Sequence, residues 1–172
     1  MFSLHGSLWL AIKSTGSLQT RAVASATFLW PLMLVLLVVF LVLTALYTKL
    51  YANYLAMPVL FVLPLLALGG LVGARVMLGA GKLWLAWACS AVFILGVTFF
   101  GVAGMFPGMI ISSIDPAATV TAFNGASSQL TLKIMLGVAL VMVPIVLAYQ
   151  FWLYKTFSAP VTNEDLKDEH AY

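Results

Sequence analysis

An uncharged, strongly apolar run over residues 23–48 constrains the fold of this chain more than any other feature. An α-helix needs about 20 apolar residues to cross the hydrocarbon core of a bilayer, and this run exceeds that length. Only 8% of the residues are charged, against about 25% in soluble domains. Similar runs recur, so the predicted transmembrane domain spans residues 1–157, with helices at about 23–48, 54–74, 83–106 and 132–154.

Residues 2–12 form a shorter apolar run that cannot cross the membrane alone. They form either an interfacial helix or the end of a spanning helix, and the absence of an N-cap signal favours the second. The predicted fold class is therefore all-α integral membrane, with four transmembrane helices plus a truncated N-terminal helix.

The basic residues are scattered singly between the spans, which argues against nucleic-acid binding and favours a role in topology. Six lie on one side of the predicted membrane and two on the other. Because the side that is richer in Lys and Arg is normally cytoplasmic, this distribution predicts that the C-terminus, including the acidic tail at 158–172, lies in the cytoplasm. The larger group is Lys13, Arg21, Arg75, Lys82, Lys155 and Lys167, and the smaller is Lys49 and Lys133.

Small and aromatic residues predict how the helices pack. Gly69 and Gly73 are four residues apart and share a helix face, which allows a neighbouring helix to approach closely. Three later glycines suit the same kind of contact, and three tyrosines are placed for an aromatic belt at the interface. The glycines are Gly96, Gly101 and Gly104, and the tyrosines are Tyr47, Tyr51 and Tyr54.

Residues 105–133 form the longest polar interruption and contain Asp115, the first acid in the chain. We interpret them as a folded, outward-facing cap or docking surface, because they combine several turn signals. Asp115 precedes Pro116 and is expected to form a turn, Asn124-Gly125 is a turn signal, and Ser127 or Ser128 can cap the last helix.

The interiors of the four predicted spans contain no Asp, Glu, Lys, Arg or His, so the sequence indicates no proton relay or histidine ligand there. His5 is interpreted as packed or hydrogen-bonded in preference to a haem ligand. Cys89 is interpreted as an apolar packing residue. No metal-ligand cluster and no catalytic residue is predicted.

A small transporter or half-transporter is an alternative function, which is disfavoured because transporters place polar groups near the midplane of the membrane. A lone structural membrane protein is a third reading.

Three stretches together resemble subunit II of cytochrome bd-type quinol oxidases. GSLWLAIKSTGSLQTRA (residues 6–22) is similar to the family's G-x-x-L-x-x-K-T-x-G-x-L-x-x-R turn, with a departure at Ser14-Thr15. FPGMIISSIDPAATVTAFNGASSQLTLKIM (106–135) resembles its late outer segment, and VPIVLAYQFWLYKTF (143–157) resembles its last helix. The signature residues, with a structural role, are Gly6, Lys13, Gly16, Arg21, Pro107, Ser113, Asp115, Pro116, Thr121, Asn124, Ser127, Pro144, Tyr149 and Trp152.

The resemblance implies one four-helix half, the C-terminal one, of a two-repeat subunit in a bacterial inner-membrane complex that oxidises quinol and reduces dioxygen to water. It implies that haems b and d belong to a partner, subunit I, and that this chain is a non-haem structural subunit, not catalytic alone. The expected partners are subunit I, the N-terminal half of subunit II, membrane lipid, and quinone at the level of the complex. A structural quinone or lipid in this half is a further expectation.

Overall fold

A computed structural model describes residues 1–162, so residues 163–172 of the predicted tail, including Lys167, lie outside the described residues. The described part of the chain is predominantly helical. Its elements, in order, are α1 (Phe2–Lys13), α2 (Gly16–Tyr47), α3 (Tyr51–Ala56), a 3₁₀ turn (Pro58–Phe61), α4 (Val62–Gly79), α5 (Leu83–Met105), β1 (Gly108–Ile110), a 3₁₀ turn (Pro116–Ala118), β2 (Val120–Thr121) and α6 (Gln129–Thr156).

Within residues 1–162, four helical segments are long and apolar enough to cross a membrane: Gly16–Tyr47, Pro58–Gly79, Leu83–Met105 and Gln129–Thr156. This confirms the predicted class of an all-α integral membrane protein. Helix α1, with 12 residues, is the short N-terminal helix.

The first polar turn is much shorter than the sequence indicates. The predicted helices at 2–12 and 23–48 leave residues 13–22 between them, but α2 begins at Gly16 and leaves only Ser14 and Thr15 between the helices. Gly16 adopts a φ of +68°, a left-handed conformation that favours glycine, so the chain reverses direction abruptly. Gln19 then donates a hydrogen bond through Nε2 to the carbonyl of Ala11 (2.9 Å), which ties the two helices together.

A second glycine closes the turn between α4 and α5. Gly81 has a φ of +73°, and its N–H donates to the carbonyl of Leu78 while the N–H of Lys82 donates to that of Met77. These bonds satisfy carbonyls that the end of α4 would otherwise leave without partners.

Two compact units divide the chain: Met1–Met105 with the segment from Pro160, and Phe106–Ala159. The core of the first unit comes from α1, α2, α4 and α5. Its buried apolar residues include Leu4, Leu8, Ala26, Leu37, Leu71 and Phe93. Trp30 on α2 donates through Nε1 to the carbonyl of Leu71 on α4 (2.7 Å), a long-range bond across this core.

The close approach of α4 and α5 uses Gly70 and the expected Gly96, and of the expected pair Gly69 and Gly73 only Gly73 lies against α5. A Cβ added at Gly70 would lie 2.5 Å from the backbone N of Phe93, and one at Gly96 would lie 2.6 Å from the backbone N of Ala67. At Gly69 and Gly101 a Cβ would meet nothing within 4 Å, and at Gly73 it would meet the Sγ of Cys89 at 3.0 Å. The expectation is therefore wrong for Gly69 and Gly101. The seam lies one residue along α4 from the predicted face.

The second unit combines a small hairpin with the long helix α6. Strands β1 and β2 pair antiparallel with an irregular register, Gly108 opposite Thr121 and Ile110 opposite Val120. Helix α6 begins after Ser128, whose side chain accepts a hydrogen bond from the N–H of Thr131. Pro144 lies inside α6.

Candidate functional site

A polar contact between α1 and α5 contains the one histidine that the sequence indicated as a candidate ligand. The Nδ1 of His5 lies 2.7 Å from the Oγ of Ser90, and Ser90 donates through the same Oγ to the carbonyl of Trp87 (2.7 Å). Because a serine hydroxyl has one proton, Ser90 can donate only once, so His5 donates from Nδ1 and is in the Nδ1–H tautomer. The His5 ring also stacks on Trp87, with 5.0 Å between ring centroids. The interpretation of His5 as a packed, hydrogen-bonded residue is confirmed.

Three tryptophans extend this contact toward the basic end of α1. Trp9 lies 5.8 Å from Trp84 and 5.4 Å from Trp87, measured between ring centroids. Lys13 places its Nζ 5.1 Å from the centre of the Trp9 ring, a cation–π distance. The Nε1 of Trp87 is buried and has no hydrogen-bond partner among residues 1–162. The cluster joins α1 to α5 through ring packing and one charged side chain.

The His5–Ser90 bond gives a prediction for the stability of this contact. In a double-mutant cycle of His5→Ala and Ser90→Ala, we expect a coupling free energy of about 0.6 kcal/mol, the average for side-chain hydrogen bonds between membrane helices. Unfolding of the four chains in mixed micelles measures it. Ser7→Ala with Ser90→Ala is the matched control, because Ser7 donates to the carbonyl of Ser3 in its own helix. A His5–Ser90 coupling no larger than this control contradicts the prediction.

A tyrosine cluster fixes α3 against α5 in the first unit. Tyr54 is fully buried and donates to the carbonyl of Phe100 (2.7 Å), while Tyr51 donates to the carbonyl of Leu41 (3.3 Å). Burial raises the pKa of both phenols, and repulsion between two phenolates raises the pKa of Tyr54 further, so both hydroxyls are protonated at neutral pH and donate. Of the three tyrosines expected in an interfacial belt, only Tyr47 is mostly exposed (82%). The belt assignment is wrong for Tyr54, because its ring completes the core.

Asn53 strengthens the same junction, although no sequence motif points to it. Its Nδ2 donates to the carbonyls of Ala103 (3.0 Å) and Gly104 (3.1 Å) near the end of α5. A Cβ at Gly104 would overlap the side chain of Leu50, which would have to move to accommodate it. An amide in a short turn between two apolar runs was the signal available in the sequence.

The outer segment is held by its own side chains. The Oγ of Ser112 accepts from the N–H groups of Ile114 (3.4 Å) and Asp115 (3.1 Å). Asp115 accepts through Oδ1 from the N–H of Ala117 (2.9 Å), which caps the 3₁₀ turn that begins at Pro116. Asp115 is therefore a turn former, as its position in the sequence indicated.

A second turn closes the outer segment before α6. The N–H of Thr121 donates to the Oδ1 of Asn124 (2.6 Å), and the Oγ1 of Thr121 accepts from the N–H of Asn124 (3.2 Å). The Nδ2 of Asn124 also donates to the carbonyl of Thr119 (3.0 Å). Gly125 follows, where a Cβ would lie 2.6 Å from a side-chain methyl group of Val120 and 3.2 Å from the carbonyl oxygen of Thr121.

The remaining signature residues lie at turns or on exposed helix faces. Ser113 and Ser127 are exposed, and their neighbours Ser112 and Ser128 accept the bonds described above. The carbonyl of Pro107 accepts from the N–H of Ala122 (2.8 Å). Tyr149 and Trp152 pack ring against ring at 6.1 Å on α6. Gly6 and Arg21 are exposed on α1 and α2. The signature residues thus lie at separate turns and helix faces, and they do not form one common site.

Among residues 1–162, no three His, Cys, Asp or Glu side chains come close enough to form a metal site. The side chains that sequence reasoning singled out cap turns, stack rings or join helices. These features define the class of the protein, a multi-pass helical membrane protein whose specific residues organise packing and an ordered loop between its last two helices.

The family follows from comparison with known proteins. The family model for cytochrome bd terminal oxidase subunit II matches residues 1–157, and the chain belongs to that family.

Three relatives illustrate the similarity. The chain is 34% identical over 117 residues to the cytochrome bd-I ubiquinol oxidase subunit 2 of Escherichia coli (strain K12), covering 67% of this chain and 30% of the relative. It is 33% identical over 122 residues to the probable cytochrome oxidase subunit 2 of Haemophilus influenzae (70% and 32%). It is 26% identical over 171 residues to the cytochrome bd ubiquinol oxidase subunit 2 of Bacillus subtilis (94% and 47%). The chain thus matches a third to a half of the length of these relatives.

Proposed function

We propose that this chain is a non-haem structural part of subunit II in a bd-type terminal oxidase, a complex that oxidises quinol and reduces dioxygen to water. The observation that carries the proposal is the family match over residues 1–157. The named relatives are second subunits of cytochrome oxidases. Among the described residues, no observation favours the transporter alternative.

In this proposal, the haems b and d, which carry electrons and bind dioxygen, belong to the partner subunit I. The contacts of His5 support this assignment, since its Nδ1 is engaged with Ser90 and its ring face is covered by Trp87. The contribution of this chain is to hold α1, α2, α4 and α5 in a fixed arrangement against subunit I and the N-terminal half of subunit II. Quinone acts at the level of the complex, and a structural quinone or lipid in this half is part of the proposal.

The proposed orientation has the C-terminus in the cytoplasm of a bacterial cell and the outer segment on the opposite side of the inner membrane. Its support is the distribution of Lys and Arg between the two ends of the four spanning segments. The hydrogen bonds of Ser112, Asp115, Thr121 and Asn124 give the outer segment a defined shape for contact with a partner.

Haem content after purification tests this function. A tagged chain purified from its native membranes is expected to retain the visible absorbance of haems b and d and quinol oxidase activity. The same chain expressed and purified alone is expected to show neither, because the His5 ring is hydrogen-bonded to Ser90 and stacked on Trp87. An unrelated tagged membrane protein from the same membranes is the control for non-specific retention.

Two outcomes would contradict the proposal separately. Stoichiometric haem on the chain purified alone would overturn the non-haem role. A preparation from native membranes that contains no haem protein would overturn membership of the complex.

A further inference from the structure

The turn between α1 and α2 presents a short stretch of extended backbone. Ser14 has a φ of −125° and a ψ of 161°, and Thr15 has a φ of −124° and a ψ of 167°. Both residues therefore have the conformation of a β-strand. The N–H and C=O groups of extended residues point sideways, where another extended segment can pair with them. The turn thus has the geometry of a docking edge.

The C-terminal segment of the same chain occupies this edge. Val161 pairs with Ser14 in an isolated parallel bridge, and the N–H of Val161 donates to the carbonyl of Lys13 at 2.9 Å. The Oγ1 of Thr15 donates to the carbonyl of Val161 at 3.4 Å. The segment from Pro160 belongs to the same compact unit as α1 and α2, so these contacts lie within one unit.

Both helix ends at the turn use this segment. The carbonyl of Lys13 lies in the last turn of α1, where carbonyls have no partner within the helix, and Val161 supplies the donor. Thr15 is the N-cap residue of α2, where a hydroxyl normally accepts from an N–H of the first turn. Within residues 1–162 it makes no such bond, and it donates to Val161. One residue from the other end of the chain thus engages both helix ends.

The segment is recognised through its backbone. The side chain of Val161 has 51% of its surface exposed, whereas Ser14 opposite it is buried. Pro160 has a fixed φ and disfavours a helical conformation at Ala159, which lowers the entropy lost when the segment docks. Addition of an extended segment to an exposed edge through main-chain hydrogen bonds is a common mode of peptide recognition.

We propose that the α1–α2 turn is a docking site for an extended peptide, and that residues 160–162 are its ligand, a strap that holds the turn in place. Because few bonds hold the strap, it opens by local unfolding more readily than the core of the unit. The signature residue Gly16 contributes by its left-handed φ, which lets α2 begin directly after Thr15. The inference goes beyond the proposed oxidase function and does not depend on it.

Hydrogen–deuterium exchange of the full chain in detergent micelles, resolved to single amides by mass spectrometry, tests the docking. In the wild type, the amide of Val161 is expected to exchange about five-fold more slowly than that of Ala159, the effect of one backbone hydrogen bond. Ala159 lies in the same segment and donates no hydrogen bond within residues 1–162. Equal exchange of the two amides, after correction for their intrinsic rates, would overturn the proposal.

The hydroxyl of Thr15 is tested in the same assay. Thr15→Val removes the donor to the carbonyl of Val161 and should speed exchange of the Val161 amide about two-fold, a small effect because the bond is long. Thr20→Val is the matched control, because the hydroxyl of Thr20 donates to the carbonyl of Gly16 within α2 (3.2 Å). It should leave the Val161 amide unchanged. Equal effects of the two substitutions would contradict the proposed site.

Two substitutions at Val161 test whether the strap holds the turn. Val161→Pro removes the N–H donor and should speed exchange of residues 14–19 about five-fold, because the coupling between strap and turn is reciprocal. Val161→Ala keeps the donor and changes only a half-exposed side chain, so these amides should exchange as in the wild type. Both changes lie outside the core, so the unit folds in either variant. Unchanged exchange in Val161→Pro, or the same increase in both variants, would overturn the proposal.

Discussion

Gly70→Ala is expected to lower the free energy of unfolding of the first unit by about 2–3 kcal/mol, although it adds only one methyl group. The new Cβ would lie 2.5 Å from the backbone N of Phe93 and 2.8 Å from the carbonyl oxygen of Cys89. Both are backbone atoms of α5, so no side-chain rotation can relieve the overlap and the helices must separate. Equilibrium unfolding in mixed micelles of sodium dodecyl sulfate and a mild detergent measures the loss.

The neighbouring glycine provides a control of opposite sign. Gly69→Ala places its methyl group in open space and should stabilise the helix by up to about 1 kcal/mol, because alanine loses less backbone entropy than glycine. Equal effects of the two substitutions would show that the α4–α5 seam is not where the structure has it.

Tyr54→Ala is expected to cost about 3 kcal/mol or more, the range for removing a buried aromatic ring. The side chain has 0% of its surface exposed, and its ring packs on Phe61 and Phe100 at centroid distances of 5.4 and 5.1 Å. Its removal leaves a cavity between α3 and α5. The same unfolding assay measures the effect.

Two further substitutions divide this loss into its causes. Tyr54→Phe keeps the ring and removes only the bond to the carbonyl of Phe100, so it should cost roughly 0.6–1.7 kcal/mol. Tyr47→Ala removes a ring that is 82% exposed and should change stability by less than about 0.5 kcal/mol. A loss at Tyr47 as large as that at Tyr54 would contradict the assignment of Tyr54 to the core.

Much of the fold could be predicted because hydropathy alone excludes most alternatives for such a chain. A long uncharged run can satisfy its backbone groups in lipid only as a helix, so the spanning helices follow from composition and length. The local turns could also be predicted from the sequence. Asp115 and Asn124 bond to backbone within a few residues of themselves, and such bonds depend only on nearby sequence.

Contacts between segments that are distant in the chain could not be predicted from the sequence in the same way. The bond between His5 and Ser90 joins residues 85 positions apart, and Asn53 reaches carbonyls 50 and 51 positions away. The one signal available in the sequence was a polar residue within or beside an apolar run, and this signal does not identify the residue that it contacts.

The sequence by itself determined that this protein is a helical membrane protein, which segments span, and which family it belongs to, because these properties depend on local hydropathy and on motif order. Only the tertiary structure decided which glycines form the seam, that Tyr54 is buried, and that α2 begins at Gly16. The glycine seam and the burial of Tyr54 depend on the rotation of each helix about its axis, whereas the start of α2 depends on contacts of its first turn with α1, such as the bond from Gln19 to Ala11. A rotation of about 100°, one residue, exchanges a packed face for a lipid-facing one, and in uniformly apolar helices the sequence leaves that rotation undetermined.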